Sequence, residues 1–319
     1  MVGPLQNWEK MTALPVAVLG AGVSGEGVCS LLQRLGWNYR VFDDAGISLT
    51  SNKLRSSSLV VVSPGFRPDH PWLMMAREMK IKVFGELDFA SCFCASPITA
   101  ITGTNGKTTI ATLLNHVFNF QGFSSKTAGN IGLPLSKLIS EQVNLKSRIF
   151  LEVSSFQSRM ITCLEAEQGI WTNFAEDHLD FHGSMEDYFQ SKLSLIRRCK
   201  ERVFVGESVA KWARRFSLEL PTNSVVVQPL KEGSFNFHNN SFLDTFPQRE
   251  NLALAKSFAE SLDIPAPDFM EACKSYKPES HRLSKVHEVE DITFWNDSKA
   301  TNFDAVISAC RSVDGPIFW

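Results

Sequence analysis

Lys107, Thr108 and Thr109 close the stretch "ITGTNGKTT" (101–109), and Gly103 and Gly106 precede them. Glycines at such positions let backbone amides converge on phosphate oxygens. A lysine can then neutralise the β- and γ-phosphates, and a following hydroxyl can bind Mg²⁺. The usual loop, G-x-x-x-x-G-K-[ST], would need a glycine where Ile101 stands, so only its inner half is kept. A second cradle lies some eighty residues earlier, in "GAGVSG" (20–25). Gly20, Gly22 and Gly25 match G-x-G-x-x-G, and Asp43 ends the next strand, where a dinucleotide fold places its ribose-binding acid. Three readings suit this first cradle: NAD, another nucleotide diphosphate, or a tight turn without ligand.

Other groups that could do chemistry are spread along the chain. Glu152 ends an apolar run, where side chains of a parallel sheet reach the ligand crevice. His178 stands among Glu176, Asp177 and Asp180. Lys192 falls within "MEDYFQSKLSLI", a helical stretch where a lysine ordinarily faces solvent.

The elements that must position these groups alternate. "PVAVLGAGVSGEGVCSLLQRLGWNYRVFDD" reads as strand, glycine turn, helix, strand, and "LVVVSPG" (59–65) and "IKVFGELDF" (81–89) continue it. A fresh strand, "PITAI", leads into the second loop and the helix "TTIATLLNHVFNFQG". Buried strands are expected at 148–153, 168–174 and 201–207. Helical spacing marks "SMEDYFQSKLSLIRR" and "NLALAKSFAESLD". Such alternation implies an α/β protein with parallel sheets covered by helices. Residues 216–246 are polar and irregular. The divisions are 1–96, 97–295, and 296–319 as the start of a third unit.

Composition narrows the class. The 319 residues are 44% hydrophobic, enough for large cores. A net charge of −2 gives no broad attraction to nucleic acid or anionic lipid. No apolar run approaches the ~20 residues that span a bilayer, and the N-terminus lacks a secretory signal. Seven scattered cysteines without a C-x-x-C pair read as reduced core thiols of a cytoplasmic protein.

"GTNGKTT" resembles the ATP loop of the Mur ligases and of their relative folylpolyglutamate synthetase. "GNIGLPL" (129–135), "LEVSSFQ" (151–157), "TNFAEDHLDFHGSMEDYFQSKLSLI" (172–196), "SHRL" (280–283) and "NDSKATN" (296–302) follow in family order. "SSFQ" and "NDSKATN" are similar to the D-glutamate-adding members. The resemblance runs from Val16 to Trp319. It implies a Rossmann-like first domain that grips the uridine diphosphate of a sugar substrate, a central P-loop-type domain that holds ATP, and a third Rossmann-like domain. The implied activity is peptide-bond formation in peptidoglycan synthesis, joining UDP-N-acetylmuramoyl-L-alanine to D-glutamate through an acyl phosphate. The first cradle then serves substrate, without NAD.

The resemblance also implies roles. Thr104, Asn105, Gly106, Lys107, Thr108 and Thr109 would hold ATP phosphates; Asn251 would touch adenine, and Arg282 and Asp297 the phosphate and ribose. Thr108, Glu152, His178 and Lys192 would hold two Mg²⁺, Lys192 as a carbamate. Val23, Ser24, Asp43, Asp44, Ser63, Pro64 and Gly65 would face uridine diphosphate, and Asn130, Ser154 and Gln157 the muramoyl-alanine part. Lys299 and Thr301 would approach the reacting carboxylate or γ-phosphate. "FPQR" (246–249) departs from the family's adenine-pocket pattern, and Asp44 stands where a hydroxyl residue is usual. A monomer is expected.

The last stretch, "NFDAVISACRSVDGPIFW", reads as a helix over 303–313, an Asp-Gly turn, and a strand at Pro316–Trp319 just inside the third domain. On that reading the D-glutamate site lies beyond Trp319, and this chain binds UDP-sugar and ATP but forms little amide. Another Mur ligase, or the folate relative, is the alternative within enzymes.

Overall fold

The computed structural model describes residues 13–141, 147–231, 241–244, 248–313 and 315–318. The first unit alternates strictly: β1 (Val16–Leu19), α1 (Val23–Leu35), β2 (Tyr39–Phe42), α2 (Ser51–Arg55), β3 (Val60–Val62), α3 (Pro71–Glu78), β4 (Val83–Gly85) and α4 (Glu86–Ser91). The strands form a parallel sheet in the order β2-β1-β3-β4. Strand order reverses at β1, so its carboxyl end opens a crevice where a ligand can sit. The chain turns there at Gly20–Gly25. A Cβ at Gly25 would collide with the Gly20 carbonyl, which is why the first turn of α1 can close on β1 only with glycine.

The stretch 81–89, expected to continue the alternation, divides between strand and helix. Only Val83–Gly85 is extended, and Glu86–Ser91 is helix with Glu86 and Asp88 in its first turn. Carboxylates there meet the positive end of the helix dipole, and both have tertiary partners.

The central unit follows with β5 (Ile98–Thr102), α5 (Lys107–Phe120), β6 (Ser125–Gly129), α6 (Leu135–Glu141), β7 (Arg148–Glu152), α7 (Ser155–Ser158), β8 (Gln168–Trp171), α8 (Leu179–His182), α9 (Met185–Ile196), β9 (Val203–Gly206), α10 (Glu207–Arg215) and β10 (Ser224–Val227). Its sheet is also parallel, ordered β10-β9-β8-β5-β7-β6. β5 lies between β7 and β8, with Ile98, Ala100 and Ile101 buried. The loop of 103–106 therefore leaves the sheet at its centre. Next come α11 (Ser241–Asp244), α12 (Gln248–Glu260) and α13 (Ala266–Lys274). Leu113, Leu114 and Val117 of α5 share a core with Leu252, Ala255 and Phe258 of α12. The stretch 216–246, irregular by sequence, contains β10 and α11; residues 232–240 and 245–247 lie outside the described set, with part of "FPQR".

An antiparallel hairpin, β11 (Ser284–Val289) with β12 (Ile292–Asn296), and α14 (Phe303–Arg311) complete the described elements. The helix ends two residues before the expected 313. No strand forms over 315–318, where Phe318 is exposed; Trp319 and Asp314 lie outside the described residues. Cys199 and Cys273 are core thiols as expected, but Cys310 is exposed on α14. Among the described residues no helix is long and apolar enough to cross a membrane.

The two large sheets share their packing. Val28, Leu31 and Leu32 of α1 belong to the same buried cluster as Leu135, Leu138 and Ile139 of α6. Beside it, Glu86 Oε1 accepts from Ser136 N and Oγ at 2.8 and 2.6 Å. Burial pushes the Glu86 carboxyl above its ordinary range, against the pull of those two bonds. Asp88, 1% exposed, accepts from Thr162 N and Oγ1 and from the amides of Cys163 and Leu164, all at 2.7–2.9 Å.

Asp88→Ala would leave three amides without their acceptor. At about 1–3 kcal/mol for an unsatisfied buried donor such as the Leu164 amide, and less for the part-buried amides of Thr162 and Cys163, the variant should lose at least ~2 kcal/mol, a large part of a typical 5–15 kcal/mol stability. Urea unfolding of Asp88→Ala beside Asp69→Ala, whose carboxylate is 72% exposed, checks this. Equal losses in the two would refute the tie.

Candidate active site

Gly103 and Gly106 set the shape of the second loop. Gly106 has φ +79 and precedes α5; a Cβ there would run into the Asn251 amide. Lys107 and Thr108 start the helix, so the loop's amides and the helix's positive end point the same way, a ready anion site. The loop is held from beside and below. Asn105 N donates to Asn173 Oδ1 at 2.9 Å, and Asn105 O accepts from Thr172 Oγ1 at 2.5 Å and Asn173 Nδ2 at 3.2 Å. Thr104 Oγ1 lies 3.2 Å from the Tyr188 hydroxyl and accepts from Ala175 N.

Two lysines converge on this loop from different elements. Lys107 Nζ donates to Gly103 O at 3.0 Å and Thr104 O at 2.7 Å. Lys192 Nζ donates to the same Gly103 oxygen at 2.7 Å and lies over the Tyr188 ring, 4.7 Å from its centroid. A lysine on such a helix ordinarily faces solvent, whereas the resemblance assigned Lys192 to the site; it is 1% exposed. Tyr188, Phe189 and Ile196 are buried on α9, and Lys192 lies three or four positions from each, on the same side of the helix. Burial, and then the charge of Lys107, hold its ammonium well below the ordinary lysine range, against the opposing pull of Asp177 and Glu152. Burial also lowers Lys107, with Glu152 and Asp177 opposing.

Glu152, 2% exposed at the end of β7, accepts from Thr108 Oγ1 at 2.8 Å and from Asn130 Nδ2 at 2.9 Å. His178 stands at the start of α8 in the left-handed region, φ 52, a conformation uncommon for a residue other than glycine. Its amide donates to Asp177 Oδ1 at 2.9 Å. Burial is the main cause lowering the His178 pKa, so its imidazole is neutral near pH 7 and keeps a lone pair.

A cavity of ≈ 590 Å³ gathers the loop residues Thr104–Thr109 with Asn130, Glu152, His178 and Asn251. Arg282, Asp297, Lys299 and Thr301 close it from the far side. Asn251 is 3% exposed and donates to Gln248 Oε1. Arg282 Nε is buried with no hydrogen-bond partner among the described residues. Asp297 accepts from Leu283 N, and burial raises its carboxyl. Lys299 and Thr301 are exposed at the cavity rim. Lys192 lies outside the cavity lining, behind Gly103.

Asp43, Asp44, Ser63 and Gly65 line a separate cavity of ≈ 590 Å³ at the crevice of the first sheet. Asp43 accepts from the amides of Ala21 and Ala45, which lower its carboxyl. Its carboxylate thus braces the glycine turn. Asp44 Oδ2 lies 3.2 Å from His70 Nε2, and the buried Ser63 hydroxyl has no hydrogen-bond partner among the described residues. Pro64 and Gln157 line a smaller space of ≈ 210 Å³ between the two sheets. Val23 is exposed and Ser24 half-buried. Ser154 and Gln157 serve each other: Gln157 Oε1 accepts from Ser154 N and Oγ, and Gln157 N donates to Ser154 Oγ, closing a capping box on α7.

Sequence reasoning missed Asn173, Asp177, Tyr188, Asn302 and Asp304, which all touch the loop or its neighbours. Asn173 lies just past the carboxyl end of β8, where the rule that singled out Glu152 applies equally. "TNFDA" carries the N-cap signature that points to Asn302.

The donors suit Mg²⁺. Thr108 and Glu152 offer hard oxygens beside a phosphate loop, and magnesium ordinarily takes few protein ligands beside phosphate and water. Among the described residues no three Cys, His, Asp or Glu side chains converge as a self-sufficient metal cage. As an ammonium Lys192 cannot ligate; as a carbamate it could.

A family described as "Mur ligase middle domain" matches residues 101–267. The chain is 31% identical to the UDP-N-acetylmuramoylalanine–D-glutamate ligase of Crocosphaera subtropica, over 94% of this chain and 76% of that protein. It is 30% identical to the protein of the same name in Prochlorococcus marinus (strain NATL2A), over 94% and 74%. Among solved structures, a pseudomurein peptide ligase type C from Methanothermus fervidus superposes with TM-score 0.57 at 14% identity, covering 94% of this chain and 77% of that one. The MurF ligase of Thermotoga maritima in complex with ADP gives 0.55 at 14%, covering 95% and 73%. The structures support the fold, and the sequence matches, which take in the phosphate loop, Glu152, His178 and Lys192, support kinship: the chain belongs to the Mur ligase family.

Proposed function

We propose that this chain is an ATP-dependent ligase that joins UDP-N-acetylmuramoyl-L-alanine to D-glutamate in peptidoglycan synthesis. The observation that carries the ATP-dependent chemistry is the meeting of Lys107, Lys192 and the Thr108–Glu152 pair around one glycine loop. The choice of D-glutamate is supported by relatives that bear that name over most of this chain. Residues 1–96 would grip the uridine diphosphate, 97–295 would hold ATP, and 296–319 would link to the unit that brings D-glutamate. A cytoplasmic setting suits the free cysteines.

A carboxylate is a poor electrophile. Its oxygen attacks the γ-phosphorus of ATP, ADP leaves, and an acyl phosphate forms. The amine of D-glutamate then attacks the carbonyl carbon, phosphate leaves, and the amine gives up a proton. Catalysis of the first step is mostly positioning and charge neutralisation. Thr104–Thr109 offer amides and Lys107 offers charge. Asn251 would lie at the adenine, Arg282 at phosphate and Asp297 at ribose. Asn130, released from Glu152, could donate to the substrate. Lys299 and Thr301 stand at the rim where the reacting carboxylate must enter. Mg²⁺, held by Thr108, Glu152, His178 and Lys192 as carbamate, would supply neutralisation of phosphate charge.

Carbamate formation needs a neutral amine, because CO₂ reacts with the nitrogen lone pair. A buried lysine beside a second cation loses its proton readily. Lys192 should therefore take up ¹³CO₂ near neutral pH, seen as a carbamate signal by ¹³C NMR. The signal should shrink as acid protonates the amine, and Lys192→Ala should lack it. No signal at any pH up to 8 would remove the carbamate.

Lys107→Ala separates the two cradles. It should abolish ATP binding by calorimetry and leave UDP-N-acetylmuramoyl-L-alanine binding within twofold, since the first cavity contains no residue of the second loop. NAD should bind far more weakly than UDP. Loss of both ligands together, or preference for NAD, would sink the assignment.

A further inference from the structure

The last helix and the phosphate loop meet through one side chain. Asn302 caps α14, its Oδ1 accepting from Ala305 N at 2.9 Å. Asn, Asp and Ser cap about equally well, so capping alone does not require asparagine. Capping also leaves the amide's two N–H groups over, and both are engaged. Asn302 Nδ2 donates to Asn105 Oδ1 at 3.1 Å and to Asp177 Oδ2 at 3.0 Å. Asn105 Nδ2 donates back to Asn302 Oδ1 at 3.3 Å and to Asp304 Oδ2 at 2.9 Å. Asn302 thus uses both donors and both acceptor sites, the full capacity of a side-chain amide.

The partners matter more than the count. Asn105 is in the middle of the phosphate loop, with its main chain already fixed by Asn173 and Thr172. Asp177 accepts from the His178 amide. Only a side chain with two donors and an acceptor can tie these groups while capping. Aspartate would cap, but it would lose both donors and set a second carboxylate against Asp177. Serine would cap, but it has a single short donor.

We propose that Asn302 is a positioning residue for nucleotide binding. Through Asn105 it holds the phosphate loop to the segment that carries Lys299 and Thr301, and through Asp177 it holds that segment to His178. The inference rests on the ATP site assigned above. Linkage makes the tie reciprocal: whatever shifts the segment alters ATP affinity, and ATP shifts the segment by the same free energy.

The test uses the whole chain and two variants that keep the cap, Asn302→Ser and Asn302→Asp. ATP and UDP-N-acetylmuramoyl-L-alanine affinities are measured by calorimetry, with Tm on the same samples. Bonds to charged groups are among the stronger ones, so Asn302→Ser should weaken ATP binding about tenfold and Asn302→Asp further. UDP-sugar affinity should stay within twofold of wild type, and Tm should fall only slightly for the lost bonds, whereas a loss of fold would lower both sharply. In an Asn105→Ala background, Asn302→Ser should cost little more, because contacting residues are non-additive. A wild type that binds ATP beside an Asn302→Ser variant that binds it equally would overturn this inference alone. A fall in both ligands and Tm together would reduce Asn302 to a structural cap. A wild type that binds no ATP would remove the site itself, and this inference with it.

Discussion

Two lysine side chains, one fully buried and one half-buried, share one carbonyl oxygen, and much of the site follows from that crowding. Lys107 and Lys192 both donate to Gly103 O; Lys192 is fully buried and Lys107 half-buried at the cavity, so water screens the pair poorly. Like charges in a low-dielectric setting repel strongly, so the arrangement holds only if anions stand close or one lysine gives up its proton. Both routes are provided. Glu152 and Asp177 oppose the loss of charge, while burial and the neighbouring cation push Lys192 toward the neutral amine. A loop built in this way would favour a polyanion, because phosphate oxygens can satisfy Lys107 and the amides around Gly106, while Lys192 backs the loop through Gly103 O.

The two glycine cradles obey the same local physics and serve different ends on the reading proposed. Each follows a buried parallel strand and opens a helix, so each offers amides and a positive helix end. What differs is the surroundings. The first is bordered by Asp43 and Asp44, with Asp43 turned onto Ala21 and Ala45. The second is bordered by lysines. A dinucleotide fingerprint read alone suggested NAD, because glycine spacing records the turn and not the ligand.

Legibility in the sequence followed the range of the forces involved. The alternation of strands and helices, the loop at 103–108 and Glu152 at a strand end were plain, since each depends on neighbours a few residues away. The helix Glu86–Ser91 did not stand out within the alternation at 81–89, because its buried acids are satisfied by Ser136 and Thr162–Leu164, which lie far along the chain. Lys192 needed more than its helix: a lysine there ordinarily faces water, and only the resemblance assigned it to the site, although its inward side could also be counted from Tyr188 and Phe189. Asn302 was invisible as a bridge, since its partner Asn105 stands 197 positions away. Capping boxes such as Ser154–Gln157 are local and readable, yet their satisfaction within α7 could not be told from a waiting substrate contact.

The core common to α1 and α6 has a further consequence. Leu31, Leu32, Leu135 and Ile139 bury one another without a break between the sheets, so the crevice of the first sheet and the loop of the second keep a set separation. On the proposed reading, the frame acts as a gauge. A substrate anchored by its diphosphate presents its far carboxylate at a distance fixed by its own length. One residue too few or too many along the peptide stem carries that carboxylate short of the phosphate loop or past it, so selectivity for length arises from rigidity alone, without a side chain that touches the difference.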